Sequence, residues 1–128
     1  MPASSRWVTF ITKLNRQTQA GKIKWKATNE QPDLLNSDFV QYGTIYVANL
    51  ETDIRDATAR IYREKRRLEN EYEEEYWTDR VILDIRTSEL EDFIRIPSKA
   101  GLDDLYETVA YSSSRVDDFV DTFLKSSG

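Results

Sequence analysis

The residue types that most often carry out catalysis are missing from this sequence of 128 residues. It contains no His and no Cys, which removes the usual general base near neutral pH, the thiolate and imidazole metal ligands, and the imidazole-dependent triads. Two carboxylate doublets, Asp103-Asp104 and Asp117-Asp118, are the types of ligand that a hard cation takes. Adjacent helical residues point about 100° apart, however, so neither doublet can chelate as a unit. We predict no metal site and no cofactor.

The remaining residues do not form a recognisable catalytic motif. The four Gly residues are isolated, so the sequence has no Gly-rich loop that would cradle a phosphate. Nothing in the pattern places two carboxylates at the separation that glycoside cleavage needs. We therefore expect a protein that binds another molecule, not an enzyme.

Two charged clusters offer alternative binding surfaces. A basic patch that would suit a nucleic-acid-binding protein spans 13–26 and consists of Lys13, Arg16, Lys22, Lys24 and Lys26, with the first four as the expected contact residues. The glutamates within 69–75 could instead imitate phosphates, which would make the chain an acidic inhibitor of a nucleic-acid enzyme. The net charge of −5 does not favour general attraction to nucleic acid. It is also small for a protein that imitates phosphates, so both interpretations stay alternatives.

Composition and length indicate one globular domain that spans residues 1–128. Hydrophobic residues make up 39% of the chain and charged residues 32%, and the aromatic side chains supply enough apolar area for a core. No apolar run approaches the ~20 residues that span a bilayer, and the N-terminal residues lack a signal-peptide pattern. We expect a cytoplasmic protein with no membrane partner.

Helical periodicity appears at both ends of the chain. Apolar residues at positions 7, 10, 11 and 14 predict a helix over residues 5–20, with Gly21 at its C-cap. After Gly101 the helical period returns in two stripes separated by three serines. The first stripe consists of Leu102, Leu105, Tyr106 and Val109, and the second of Val116, Phe119, Val120, Phe123 and Leu124. We predict a pair of C-terminal helices.

Alternating and β-branched segments predict strands between these helices. Residues 23–27 alternate apolar and basic side chains, residues 42–50 are rich in aromatic and β-branched types, and 77–87 continue that pattern. Residues 29–38 are typical of a loop, and a last strand over 90–96 should stop at Pro97.

Residues 53–77 allow two interpretations. In a long helix, Lys65–Glu69 and Arg67–Glu71 would be side-chain pairs four residues apart. In a hairpin folded about residues 68–70, the numbers of paired residues add up to 138. Lys65 then faces Glu73, Arg63 faces Glu75, Arg67 faces Glu71, Tyr62 faces Tyr76, Ile61 faces Trp77, and Glu64 faces Glu74. All but the last are favourable pairs, and Asn70 would take the left-handed position of the turn. We predict the hairpin, and the long helix remains the alternative interpretation of this segment.

The combined expectation is an α+β fold. It consists of an N-terminal helix, a mostly antiparallel sheet of about five strands with a long charged hairpin, and a C-terminal helix pair packed on one sheet face.

Four segments resemble those of a group of small bacterial α+β proteins of uncharacterised activity. They are TQAGKIKW from Thr18, RIYR from Arg60, YWTDR from Tyr76, and GLDDLYETVAYSSSRVDDFVDTFL from Gly101. The likeness covers most of the chain, and its motifs are structural. It implies the hairpin and a bacterial or phage origin, and it implies no chemistry.

The predicted function is therefore interaction with a protein partner. Exposed Tyr side chains on a sheet are favoured contact anchors. We expect the surface to consist of Tyr46, Tyr62 and Tyr76 on the outer sheet face, with Arg63 and Glu73 of the hairpin. A homodimer is a further possibility, through sheet edges or the apolar stripe of the last helix.

Overall fold

The computed structural model describes residues 3–29, 31–89 and 91–126, and within them an α+β fold. Its elements are α1 (Ala3–Gln19), β1 (Lys26–Thr28), β2 (Val40–Tyr42), β3 (Ile45–Leu50), β4 (Ala57–Glu69), β5 (Glu75–Thr87), β6 (Ile94–Arg95), α2 (Leu102–Ser114) and α3 (Val116–Lys125). The strands form one antiparallel sheet in the order β1-β3-β4-β5-β6, and β2 pairs with β4 beside β3. The predicted fold class, the first helix and the two last helices are confirmed.

The long hairpin β4–β5 is the centre of the sheet, which confirms the hairpin prediction over the helix. Its register differs from the predicted one, because paired residue numbers add up to 144 and not to 138. Glu64 lies opposite Arg80, and Lys65 opposite Asp79, so the unfavourable pairing of Glu64 with Glu74 does not occur. A displacement by an even number of residues leaves every side chain on its predicted face. The other predicted partners also change, since Ile61 faces Leu83, Tyr62 faces Ile82, Arg63 faces Val81 and Arg67 faces Trp77.

The turn of this hairpin explains the displaced register. The side-chain oxygen of Asn70 accepts hydrogen bonds from the backbone N–H groups of Tyr72 and Glu74, both at 2.9 Å. Asn70 therefore begins the turn and holds it with its side chain, as Asn commonly does. The left-handed position predicted for Asn70 belongs to Glu73, whose φ is 61°.

The predicted strand over 42–50 is broken at Gly43, and the break changes which face its side chains occupy. Tyr42 lies opposite Glu64 and Tyr46 opposite Ile61, so three residues of this segment face two residues of β4. One extra residue, as in a β-bulge, reverses the alternation of the side chains that follow. Tyr42 and Tyr46 consequently lie on opposite faces of the sheet.

The two outermost strands are shorter than predicted. Strand β1 begins at Lys26 instead of Ile23, because the preceding segment is held against α1. The Trp25 indole N–H donates to the Thr18 hydroxyl at 2.9 Å, and that hydroxyl donates to the Leu14 carbonyl at 2.8 Å. Strand β6 contains only Ile94 and Arg95, and Leu90, the predicted start of that strand, lies outside the described residues.

One face of the sheet carries the main hydrophobic core. Helices α1 and α2 pack on it, and β4 and β5 supply their odd-numbered side chains. The buried members of this core are Ile11, Leu14, Ile23, Trp25, Ala48, Ala59, Ile61, Val81, Leu83, Ile96, Leu102, Leu105 and Val109. The expectation that both C-terminal helices pack on the sheet face is met by α2, whereas α3 contains no buried residue.

The second face of the sheet buries a charged network centred on Arg60, which is 3% exposed. The Arg60 Nε donates to the Asp84 carboxylate at 2.9 Å, and the terminal guanidinium nitrogens donate to the Asp33 carboxylate at 2.7 and 2.8 Å. The Tyr62 hydroxyl donates to the same Asp84 oxygen at 2.8 Å. The network attaches the 31–34 loop to the sheet.

Each buried charge in this network is compensated by a partner. Burial works against the charge of Arg60, but the hydrogen bonds to Asp33 and Asp84 outweigh it and raise the pKa of the guanidinium. The hydrogen bond from Arg60 lowers the pKa of Asp33. The Phe93 ring covers the guanidinium, with its centroid 3.9 Å from Cζ, as in a cation–π contact.

A second carboxylate on this face is buried beside the network. Glu64 Oε1 accepts hydrogen bonds from Arg80 at 3.1 Å and from Arg66 at 3.4 Å, and both arginines are half-exposed. Its Oε2 atom has no hydrogen-bond partner among the described residues. Glu64 therefore holds two arginines together at the surface of the second face.

The Arg60→Ala substitution tests the role of the network. We expect it to lower the free energy of unfolding by about 3–5 kcal/mol, because Asp84 would remain buried without its principal cation. Urea unfolding followed by circular dichroism measures the change. The Arg55→Ala control removes an exposed ion pair with Glu89 and should cost about 1 kcal/mol or less. Equal losses in the two variants would contradict the role assigned to Arg60.

Candidate interaction surface

The three Tyr residues predicted to form one surface do not share a face. Tyr62 is fully buried on the second face and hydrogen-bonded to Asp84. Tyr46 lies on the helix-covered face, with its ring centroid 5.8 Å from that of Tyr106. Tyr76 alone of the three is exposed. The expected common outer face is thus wrong, because the extra residue near Gly43 redirects Tyr46 and the 31–34 loop covers Tyr62.

The two hairpin residues predicted to accompany them are also separated. Arg63 is half-buried, pairs with Asp79 at 3.3 Å and lies over the Tyr106 ring at 5.0 Å, so it contributes to the packing of α2 on the sheet. Glu73 is exposed in the turn at the hairpin tip. The structure does not bring Arg63 and Glu73 together.

Most of the predicted basic patch surrounds one cleft. Lys13, Lys22 and Lys24 line a cleft of about 630 Å³ between α1, the segment that follows it and the end of β3. Arg16 and Lys26 are not part of the lining. The apolar part of the lining consists of Phe10, Leu14, Ile23 and Leu50. We call this feature the lysine cleft.

The lysine cleft is positively charged. None of its three lysines forms an ion pair with another residue in the described parts of the chain, and one carboxylate, Glu51, is among its lining residues. A cleft with an apolar floor and unpaired ammonium groups at its rim can accept a group that combines apolar and acidic character.

One face of α3 exposes five apolar side chains. Its residues follow the i, i+3, i+4, i+7, i+8 spacing that places side chains on a single helix face. The exposed fraction reaches 67% for Phe123 and 75% for Leu124, and the Phe119 and Phe123 rings stack with centroids 6.1 Å apart. We call this set the α3 stripe, and its members are Val116, Phe119, Val120, Phe123 and Leu124.

Local contacts at the α2–α3 junction determine the direction of α3. Arg115 adopts a left-handed conformation with φ 59°, which ends α2 and begins α3. The Tyr111 hydroxyl donates to Asp117 at 2.6 Å, which raises the pKa of Tyr111, and Arg115 donates to Asp118 at 3.0 Å. A non-Gly residue in this conformation costs about 1–2 kcal/mol, so these side-chain contacts help to hold the bend.

Acidic residues border the α3 stripe. At about 100° per residue, Asp117 and Asp121 lie on one flank of the stripe next to Leu124, while Lys125 falls on the opposite side of the helix. Asp117 and Asp118 are engaged by Tyr111 and Arg115. The described residues contain no group of three or more acidic side chains placed to hold a metal ion.

The sequence pattern identified the residues of the α3 stripe and predicted that their helix packs on a sheet face, with the stripe also named as a possible dimer contact. The apolar periodicity was therefore seen, but periodicity alone does not say what covers a helix face. The network of Arg60 and Asp84 was not anticipated, because a charged residue in an alternating strand is normally assigned to solvent.

The helices of the described residues include none that is long and apolar enough to cross a membrane. No protein-family model, no curated protein and no solved structure matches the chain.

Replacing both α3 rings tests whether the stripe contributes to the fold. We expect Phe119→Gln with Phe123→Gln to change the free energy of unfolding by less than about 0.5 kcal/mol, as is usual for exposed positions. Leu105→Ala, at a buried position of α2, should cost about 2–5 kcal/mol. Thermal or urea unfolding compares the variants in dilute, monomeric protein, where a loss of several kcal/mol in the double variant would show that the stripe is buried within its own chain.

Proposed function

We propose that this protein is a non-catalytic binding module whose α3 stripe docks onto a protein partner. The observation that carries the proposal is the exposure of five apolar side chains on one helix face. Helix α2 uses a similar spacing to bury Leu102, Leu105 and Val109. The α3 stripe thus has the pattern of a packed helix, yet none of its residues is buried by the described part of the chain.

The free energy gained by burying apolar side chains favours docking of the α3 stripe onto another molecule. Full burial of a Val, Leu or Phe side chain is worth roughly 1.5–3 kcal/mol, so five such residues can offset much of the cost of association. The spacing matches the helix-in-groove mode of recognition, in which residues at i, i+3, i+4 and i+7 are the anchors. Phe119 and Phe123 are the central anchors of this proposal.

The charge of α3 favours a protein partner over a lipid surface or a nucleic acid. Asp117, Asp118 and Asp121 occupy its polar side, and one Lys is present at its end. Helices that lie on anionic membranes are rich in Lys and Arg on the polar face, and nucleic-acid surfaces need basic side chains. An apolar groove with a basic rim is the complementary surface.

The types of polar side chain that are present, and the hydrogen bonds of the buried Asp84 carboxylate, support a non-catalytic protein. The chain has no His or Cys, and the buried Asp84 carboxylate is occupied by Arg60 and Tyr62, so it is not a free base. The proposal places the protein in the cytoplasm of a bacterium or phage-infected cell, in line with the absence of Cys and with the family resemblance of its sequence.

Lysines around one cleft favour nucleic-acid binding as a second candidate function. Lys13, Lys22 and Lys24 would contact phosphates, and their affinity for an oligonucleotide should fall steeply with salt. The aromatic residue in this cleft, Phe10, is half-buried, which leaves little surface for base stacking. We therefore rank this candidate below protein binding.

Affinity capture with a matched set of variants tests the proposal. Tagged protein is incubated with nuclease-treated lysate of its source cells, and retained proteins are quantified by mass spectrometry. We expect one stoichiometric protein to be retained by the wild type and lost from the Phe119→Gln, Phe123→Gln variant. The control is Ile54→Gln, which removes an exposed apolar side chain elsewhere and should retain the partner.

Two results would contradict the proposal. If the α3 variant and the wild type retain the same proteins, the stripe is not the docking element. If retention disappears with nuclease treatment and with Lys13→Glu, Lys22→Glu and Lys24→Glu, the nucleic-acid candidate takes its place.

A further inference from the structure

The chain carries two surfaces whose chemistry is complementary. The α3 stripe is apolar with Asp117 and Asp121 on its flank. The lysine cleft is apolar at its floor, with Lys13, Lys22 and Lys24 at its rim. The first has the apolar character and charge that the second can accept, because apolar side chains would meet apolar side chains while carboxylates meet unpaired ammonium groups.

Pairing of two α3 stripes with each other is less favourable. In an antiparallel helix pair the same flanks of the two helices meet, so Asp117 and Asp121 would face their own copies. In a parallel pair the acidic flanks separate, but the helix dipoles are aligned side by side. The lysine cleft offers opposite charge without either penalty.

Docking of α3 into the cleft of its own chain is opposed by the α2–α3 junction. The start of α3 lies beside Lys24, since Val116, Asp117 and Lys24 line one groove. The hydrogen bond from Tyr111 of α2 to Asp117 of α3 helps to hold the helix where its stripe is exposed. A second molecule can reach the cleft without breaking it.

We propose that the α3 stripe of one copy docks into the lysine cleft of a second copy of this chain. The inference rests on the proposed function and names its partner. The interface is heterologous, because different surfaces of the two molecules meet. Each copy offers one helix and one cleft, so the contact generates a closed ring, a chain of molecules, or a dimer in which both contacts are exchanged.

A mixing experiment with two variants tests this inference. The stripe variant carries Phe119→Gln and Phe123→Gln, and the cleft variant carries Lys13→Glu, Lys22→Glu and Lys24→Glu. A control with the same charge change carries Lys26→Glu, Lys65→Glu and Lys99→Glu, at exposed lysines outside the cleft. Sedimentation velocity is measured over increasing protein concentration, at low ionic strength and at about 0.5 M salt, where charges are strongly screened.

We expect the wild type and the control to self-associate, with an affinity that weakens at high salt. Each variant alone should be monomeric over the concentrations at which the wild type associates, a loss of affinity of at least about tenfold. Mixed together, the two variants should form a 1:1 dimer and nothing larger, because the mixture retains one intact stripe and one intact cleft. Circular dichroism melts confirm that each variant is folded.

Other outcomes overturn the inference in distinguishable ways. Self-association of the cleft variant alone would indicate pairing of two α3 stripes. A wild type that stays monomeric at every concentration would exclude a second copy as the partner. In that case the proposed function stands if the α3 stripe still captures a different protein from lysate, and it fails as well if nothing is captured.

Discussion

The paired strands β4 and β5 are the constraint on which the rest of the structure depends. Each strand has 13 residues, and they pair without interruption from Ala57–Thr87 to Glu69–Glu75. Because side chains alternate along a strand, this ladder assigns each residue to one of two faces. The odd-numbered positions receive α1 and α2, and the even-numbered positions carry Arg60, Tyr62, Glu64 and Asp84. Helix α3 contributes no buried residue to either face.

The buried charges of the second face attach the 31–34 loop and Phe93 to the sheet. Arg60 connects β4 to Asp84 on β5 and to Asp33 in the 31–34 loop, and it stacks on Phe93. These contacts cover the centre of the second face, as α1 and α2 cover the first. The half of the β4–β5 hairpin nearer its turn stays exposed, including Tyr76 and Trp77. Outside the ladder, the α3 stripe and the lysine cleft carry apolar and charged groups that complement each other.

Much of the fold follows from sequence patterns, and the exceptions have physical causes. The three helices and the hairpin have clear periodicity, and the face of each hairpin side chain was predictable despite a displaced register. The register itself depends on where Asn70 can hold the turn with its side chain. The extra residue near Gly43 is a single-residue event that alternation cannot reveal, yet it moves Tyr46 to the opposite face. Tyr46, Tyr62 and Tyr76 do not form the predicted surface, because Tyr46 lies on the other face and Tyr62 is buried.

The α3 stripe shows a different limit of sequence reasoning. Its periodicity predicted a helix correctly, but an amphipathic helix that packs within its chain and one that packs on another molecule share the same pattern. The exposure of the stripe depends on the backbone at Arg115 and on the contact of Tyr111 with Asp117. An Arg residue rarely adopts a left-handed backbone conformation, so the sequence did not indicate the bend at Arg115.

Amide hydrogen exchange of α3 tests the central claim, that the stripe is covered by a second copy, most directly. The exchange rates of the Val116–Lys125 amides are measured in dilute protein and at increasing concentration. A docked helix should show protection that rises with concentration and is reduced by salt, while the amides of β4 and β5 stay equally protected throughout. Fast exchange in α3 at every concentration would contradict the account, as would strong protection already present in the dilute monomer.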